Sequence, residues 1–111
     1  MIDDKERMKM NHADYVLIFK AMADETRLKI VEMLSDGELC ACKILKSFQI
    51  TQPTLSYHMK TLCDSGLVDG RRDGAWMRYS INQEKFDSVK TWFVGFGSGE
   101  KVQRDIYCEK C

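Results

Sequence analysis

Five cysteines carry most of the reactive chemistry in this 111-residue chain: Cys40, Cys42, Cys63, Cys108 and Cys111. Their number is odd, and four of them form two close pairs, Cys40-Ala41-Cys42 and Cys108-Glu109-Lys110-Cys111. In a cytosolic chain, clustered cysteines bind metals or undergo redox chemistry more often than they staple a fold. Thiolates are the ligands, and being soft they favour soft ions. The first pair sits where a short helix is expected to begin, and the positive end of a helix helps a thiol ionise. A spacing of two is awkward on a regular helix, because the side chains point roughly 200° apart. Both sulfurs can reach one ion only if that first turn opens or is not helical. Cys63 differs. It lies on an apolar helical stripe and reads as a small core residue.

The elements that would position these groups follow from periodicity and caps. Residues 11–23 read as a first helix, with Tyr15, Ile18, Phe19 and Met22 at helical spacing on one face. Asp24 is an N-cap for a second helix, which Ser35-Asp36-Gly37 stops. Residues 38–47 read as a short third helix with Ile44, Leu45 and Phe48 as apolar contacts. Thr51 caps a fourth, about Gln52 to Ser65, whose buried stripe is Leu55, Met59, Leu62 and Cys63. Pro53 fits its first turn, and Gly66 ends it. The period then shortens. Residues 67–72 and 75–81 read as two strands joined at Asp73-Gly74, a two-residue hairpin signal. Asn82 caps a fifth helix, 83–96, with Phe86, Val89, Trp92, Phe93 and Phe96 apolar. The organisation expected is a flexible segment over 1–10, one domain over 11–96, and a cysteine-containing tail over 97–111.

The fold class is therefore mainly α with a small β-hairpin, in the order α-α-α-α-β-β-α: a winged helix-turn-helix. The fourth helix is the candidate recognition helix, since a helix in the major groove shows short polar and basic groups outward from an apolar stripe. Its non-core positions are Gln52, Thr54, Ser56, Tyr57, His58, Lys60 and Thr61. Gln can pair bidentately with adenine, and Ser and Thr can bond several base edges. Lys60 suits a phosphate, which positions without specifying. In the wing, Arg71, Arg72 and Arg78 flank the Gly-containing tip. Seventeen basic residues balance seventeen acidic ones, which excludes a strongly basic, non-specific nucleic-acid coat.

Residues 17–81 resemble the ArsR family of metal-sensing repressors. KAMADETRLKIVEMLSDGELCACKIL is similar to that family's second and third helices, and ITQPTLSYHMKTLCDSGLVDGRRDGAWMRYSI to its recognition helix and wing. The resemblance implies a homodimer formed through the first and last helices, an imperfect palindromic operator in double-stranded DNA, and derepression when an inducer binds. It also implies that Glu38-Leu39-Cys40-Ala41-Cys42 is a thiolate inducer site. Some arsenic-sensing members carry a further cysteine where this chain has Leu45, so a three-thiolate site confined to the helix is not complete here. Cys108 and Cys111 could supply what is missing, from the same or the partner subunit. Two helix thiolates and one from the tail would suit trigonal As(III) or Sb(III), whereas all four would suit tetrahedral Cd(II) or Zn(II). The alternative inducers are Cd(II), Pb(II) and Zn(II). A site on the last helix used by other members needs His, and Glu84 and Asp87 have none beside them.

Other chemistry is thin. Oxidation of either cysteine pair is the alternative trigger. A thiol oxidoreductase is disfavoured because no helix follows the tail pair to lower a thiol pKa. No Ser/His/Asp or paired-carboxylate arrangement suggests an enzyme, and no resident cofactor is expected. The N-terminus lacks the apolar core of a signal peptide and no run approaches bilayer length, so the expected setting is the cytoplasm, away from membranes.

Overall fold

A computed structural model describes residues 10–96. Residues 1–9 of the flexible segment expected over 1–10, and the tail from 97 onward with Cys108 and Cys111, lie outside the described residues. The elements run α1 (His12–Met22), α2 (Glu25–Leu34), β1 (Leu39–Cys40), α3 (Ala41–Lys46), α4 (Gln52–Asp64), β2 (Val68–Asp73), β3 (Trp76–Ile81) and α5 (Gln83–Phe96).

Short polar side chains start four of the five helices by taking up N–H groups that lack intrahelical partners. Asn11 accepts from the Asp14 N–H while the Asp14 carboxylate accepts from the Asn11 N–H, a reciprocal capping box. Asp24 accepts from the Arg27 N–H, Thr51 from Thr54 and Asn82 from Lys85. Gly37 and Gly66 follow α2 and α4 with φ of 134° and 90°, backbone that side chains rarely adopt.

The third helix departs from expectation. It begins at Ala41 instead of 38, because Leu39 and Cys40 are extended and pair antiparallel with β3. The registers are Leu39 with Tyr79 and Cys40 with Arg78. The sheet is thus three-stranded, in the order β1-β3-β2, where a two-stranded hairpin was expected. Strand β3 satisfies backbone groups on both its edges this way, and the hairpin gains a third strand.

The hairpin turn also shifts by one residue. Asp73 pairs with Trp76, so the connecting pair is Gly74-Ala75 and not Asp73-Gly74. Gly74 supplies φ of 67° at the first turn position, as a type II′ turn requires.

The core joins all layers. Ile18 of α1, Ile30 of α2, Ile44 of α3, Leu62 of α4 and Leu67 have no exposed surface, with Leu55, Met59, Val68 and Val89 nearly as deep. Helix α4 is therefore seated by three residues, Leu55, Met59 and Leu62, and α3 by Ile44. Cys63 is half-buried against this core. Gly70 lies opposite Tyr79, whose ring covers the space a Cβ would need: the Cε1 and Cδ1 atoms would sit 2.9 and 3.1 Å away. Only glycine lets Tyr79 lie flat and buried across the wing. Gly70→Ala is expected to destabilise the domain by about 1–3 kcal/mol, the usual cost of overpacking, read from the urea midpoint. An unchanged midpoint would show that the ring can move aside.

Candidate nucleic-acid interface and thiol site

The exposed face of α4 carries Gln52, Thr54, Ser56, Tyr57 and Lys60. Gln52 and Ser56 border a groove whose far wall is the wing, with Arg72, Trp76 and Met77. Tyr57 on α4 and Trp76 on the wing are large rings left 63% and 48% exposed. Thr54 accepts a hydrogen bond from the Thr51 hydroxyl, and Lys60 is paired with Asp64 at 2.9 Å.

Two residues expected on this face are placed elsewhere. The side chain of His58 is only 13% exposed, and its Nδ1 accepts from Arg27 Nη1 at 2.9 Å, with Asp24 4.0 Å away. Thr61 is half-buried and its hydroxyl donates to the Tyr57 carbonyl, beside Leu17 and Arg27. The physical reason is helical phase. His58 falls three residues after Leu55 and four before Leu62, on the shoulder of the buried stripe. A polar side chain at such a position need not face outward.

Arg27 is a positioning residue that the sequence does not reveal. Its Nε donates to the Ala21 carbonyl at the end of α1, its backbone N–H is capped by Asp24, and its guanidinium meets His58 on α4. One side chain thus ties α1, α2 and the recognition helix together. The Asp24–Arg27 cap is legible locally, but the contact to His58 spans 31 positions.

The wing arginines are in different states. Arg71 makes a fork to both oxygens of Glu38 at 3.0 and 3.1 Å. Arg78 donates to Asp73 at 2.8 Å. Arg72 is exposed and has no ion-pair partner among the described residues.

At the other edge of the sheet the two nearby thiols converge. Cys40 is extended, with φ −74° and ψ 146°, and serves as the N-cap of α3. This non-helical turn resolves the awkward spacing by bringing the Cys40 and Cys42 sulfurs into contact. The Cys42 N–H also donates to the Cys40 sulfur at 3.3 Å. The Cys42 thiol holds Cys40 below the usual thiol range, helped by the Cys42 and Lys43 N–H groups and by Arg78. The same contact pushes Cys42 above that range, with desolvation adding to it. Cys63 is also pushed up, by burial first and then by Asp64 and Asp69. Among the described residues no group of three or more His, Cys, Asp or Glu could hold a metal ion, so no third such side chain joins the Cys40–Cys42 pair there.

A recognition helix seated on three apolar residues, a helix packed before it and a wing beside it define a winged helix-turn-helix DNA-binding protein. The family model described as "Bacterial regulatory protein, arsR family" matches residues 24–69. An arsenical resistance operon repressor of Staphylococcus xylosus is 45% identical over 80 residues, covering 72% of this chain and 77% of that one. A cadmium resistance transcriptional regulatory protein CadC homolog of Staphylococcus aureus is 36% identical over 81 residues, 72% of this chain and 67% of that one. The crystal structure of an ArsR family transcriptional regulator superposes with a TM-score of 0.74 at 25% identity, covering 84% of this chain and 98% of that one. This chain belongs to the ArsR family, whose members are DNA-binding transcriptional regulators and not enzymes. No described helix is long and apolar enough to cross a membrane.

The thiol asymmetry has a direct readout. Under iodoacetamide at neutral pH, with sites resolved by peptide mapping, Cys40 is expected to react ahead of Cys42 and Cys63. Cys42→Ala should move the Cys40 alkylation midpoint to higher pH, because the group that most stabilises its thiolate is gone. Equal rates at Cys40 and Cys63 would contradict the assignment.

Proposed function

We propose that this protein is a homodimeric repressor that leaves its operator when Cys40 and Cys42 capture As(III) or Sb(III). The observation that carries this reading is the convergence of two free thiols at the β1–α3 junction, one of them biased toward thiolate. Arsenous acid would condense with the two thiols. Two As–O and two S–H bonds break, two As–S bonds form, and two waters leave, with no change in oxidation state. A third thiol, from Cys108 or Cys111, would displace the remaining hydroxyl in the same way.

Capture acts where α3 begins. Fixing both sulfurs on one centre changes the cap of a six-residue helix that Ile44 binds to the core beside α4. A coupling of about 1–3 kcal/mol between two sites changes affinity several-fold or more. Base edges would be read by Gln52, Thr54, Ser56 and Tyr57, with Lys60 and Arg72 on the backbone. The dimer would cover α1 and α5, where Val16, Leu17, Phe93, Val94 and Phe96 are roughly half exposed or more. Tyr15, Phe19 and Trp92 stack beneath them at centroid distances of 5.3 to 6.3 Å. Apolar surface on that scale beside packed rings suits a second copy. Such a regulator works in the cytoplasm.

Cd(II), Pb(II) or Zn(II) is the second reading, supported by the relative named for cadmium resistance. The test is operator release in reducing buffer, titrated with each ion. Arsenite is expected to release the wild type, and Cys40→Ser to hold the operator at every arsenite concentration while binding it normally. Release of that variant by arsenite would remove Cys40 from the site, and release by oxidant alone would favour the redox trigger. Separately, Gln52→Ala is expected to cost about 1–3 kcal/mol at particular base pairs. Equal loss on every DNA sequence would make Gln52 a backbone contact.

A further inference from the structure

Cys40, Arg78 and Arg71 lie directly opposite one another across the three strands β1, β3 and β2. Residues directly opposite share a face of the sheet, so two guanidinium groups stand side by side there, an unfavourable pairing unless each is matched. Each has a carboxylate. Arg78 takes Asp73, which belongs to the wing itself and moves with it. Arg71 instead reaches past β3 to Glu38, outside the hairpin and two residues before Cys40. Among the described residues, Glu38–Arg71 is the ion pair that joins the wing to the thiol strand.

We propose that Glu38 competes with the operator backbone for Arg71, standing in for a phosphate, and that its place beside Cys40 puts this competition under the control of the thiol site. The fork to two oxygens at 3.0 and 3.1 Å is the arrangement by which arginine also grips a phosphate. The pair is open to water, with Arg71 60% and Glu38 34% exposed, so it is weak enough to be exchanged. Arg72 is the contrast. It follows Arg71 in β2, points to the opposite face as strand geometry demands, and lines the groove with Gln52 and Ser56. One wing arginine is always available to DNA and its neighbour is available only when Glu38 lets go. Capture of an ion at Cys40 re-sets β1, which Glu38 directly precedes, and so the strength of its hold. This last link rests on the inducer reading of Cys40 and Cys42. The competition for Arg71 does not.

The experiment measures operator affinity of the full-length protein over a salt series, first with no ion added. Glu38→Gln is expected to bind about two- to five-fold more tightly, the effect of releasing one exposed pair. Glu38→Ala should repeat that gain. Arg71→Ala should bind more weakly and lower the slope of log affinity against log salt by about 0.9 for each phosphate it no longer neutralises. In the Arg71→Ala background Glu38→Gln should add nothing. Unchanged or weaker binding by both Glu38 variants overturns the competition. So does an equal gain in the Arg71→Ala background, which would mark simple removal of a negative charge near DNA. The series is then repeated with arsenite. A smaller ratio of free to arsenite-bound affinity in Glu38→Gln than in wild type supports control by the thiol site, and an identical ratio overturns it. If arsenite does not release the wild type, the inducer reading fails, and the ion-free series still decides the competition.

Discussion

The rest of this structure depends on a two-residue pairing, Leu39 and Cys40 against Tyr79 and Arg78. It takes the chain out of helical geometry just before Ala41, which makes Cys40 a cap instead of a first-turn residue. From that follow the meeting of the two sulfurs, the N–H groups aimed at Cys40 and the proximity of Arg78. The same pairing turns a hairpin into a three-stranded sheet and brings Glu38 within reach of Arg71. A short strand in this position does three jobs at once: it ends the loop after α2, shapes the thiol pair and anchors the wing.

The recognition helix is held by two kinds of force. Leu55, Met59 and Leu62 are almost wholly removed from water, and burying a side chain of this size contributes about 1.5–3 kcal/mol. The Arg27–His58 contact adds less energy but more direction, since a guanidinium presents its donors in a rigid fork. Because Arg27 also bonds the end of α1, it links α4 to both α1 and α2. A small change at the α3 cap therefore meets a stiff assembly, and packed assemblies of this kind shift between discrete arrangements more readily than they bend.

The core is modest, as it must be in a chain of this length. Much of its aromatic surface sits between α1 and α5, where Phe93 and Phe96 are half exposed while Trp92 packs against Tyr15 and Phe19. In the proposed dimer this surface would be shared, so the helices that hold the domain together would also set the distance between two recognition helices. Spacing and stability would then rest on the same contacts.

Local rules made most of the elements legible. Asp24, Thr51 and Asn82 announce helix starts through their own side chains, Gly66 announces a stop, and apolar periodicity places Ile18, Leu55, Met59 and Leu62 inside. The wing tip is legible to within one residue, since Gly74 marks the turn while cross-strand register decides which neighbour shares it. The sequence by itself determined the winged helix and the presence of a thiol pair, because caps, turns and periodicity act over a few residues. Only the tertiary structure decided that Cys40 lies in a strand, that His58 and Thr61 turn inward, that Tyr79 needs glycine at position 70, and that Arg71 is held by Glu38. Cys40 pairs with Arg78, His58 meets Arg27 and Arg71 meets Glu38 only once distant stretches of chain pack together, and no local preference encodes where those partners will lie.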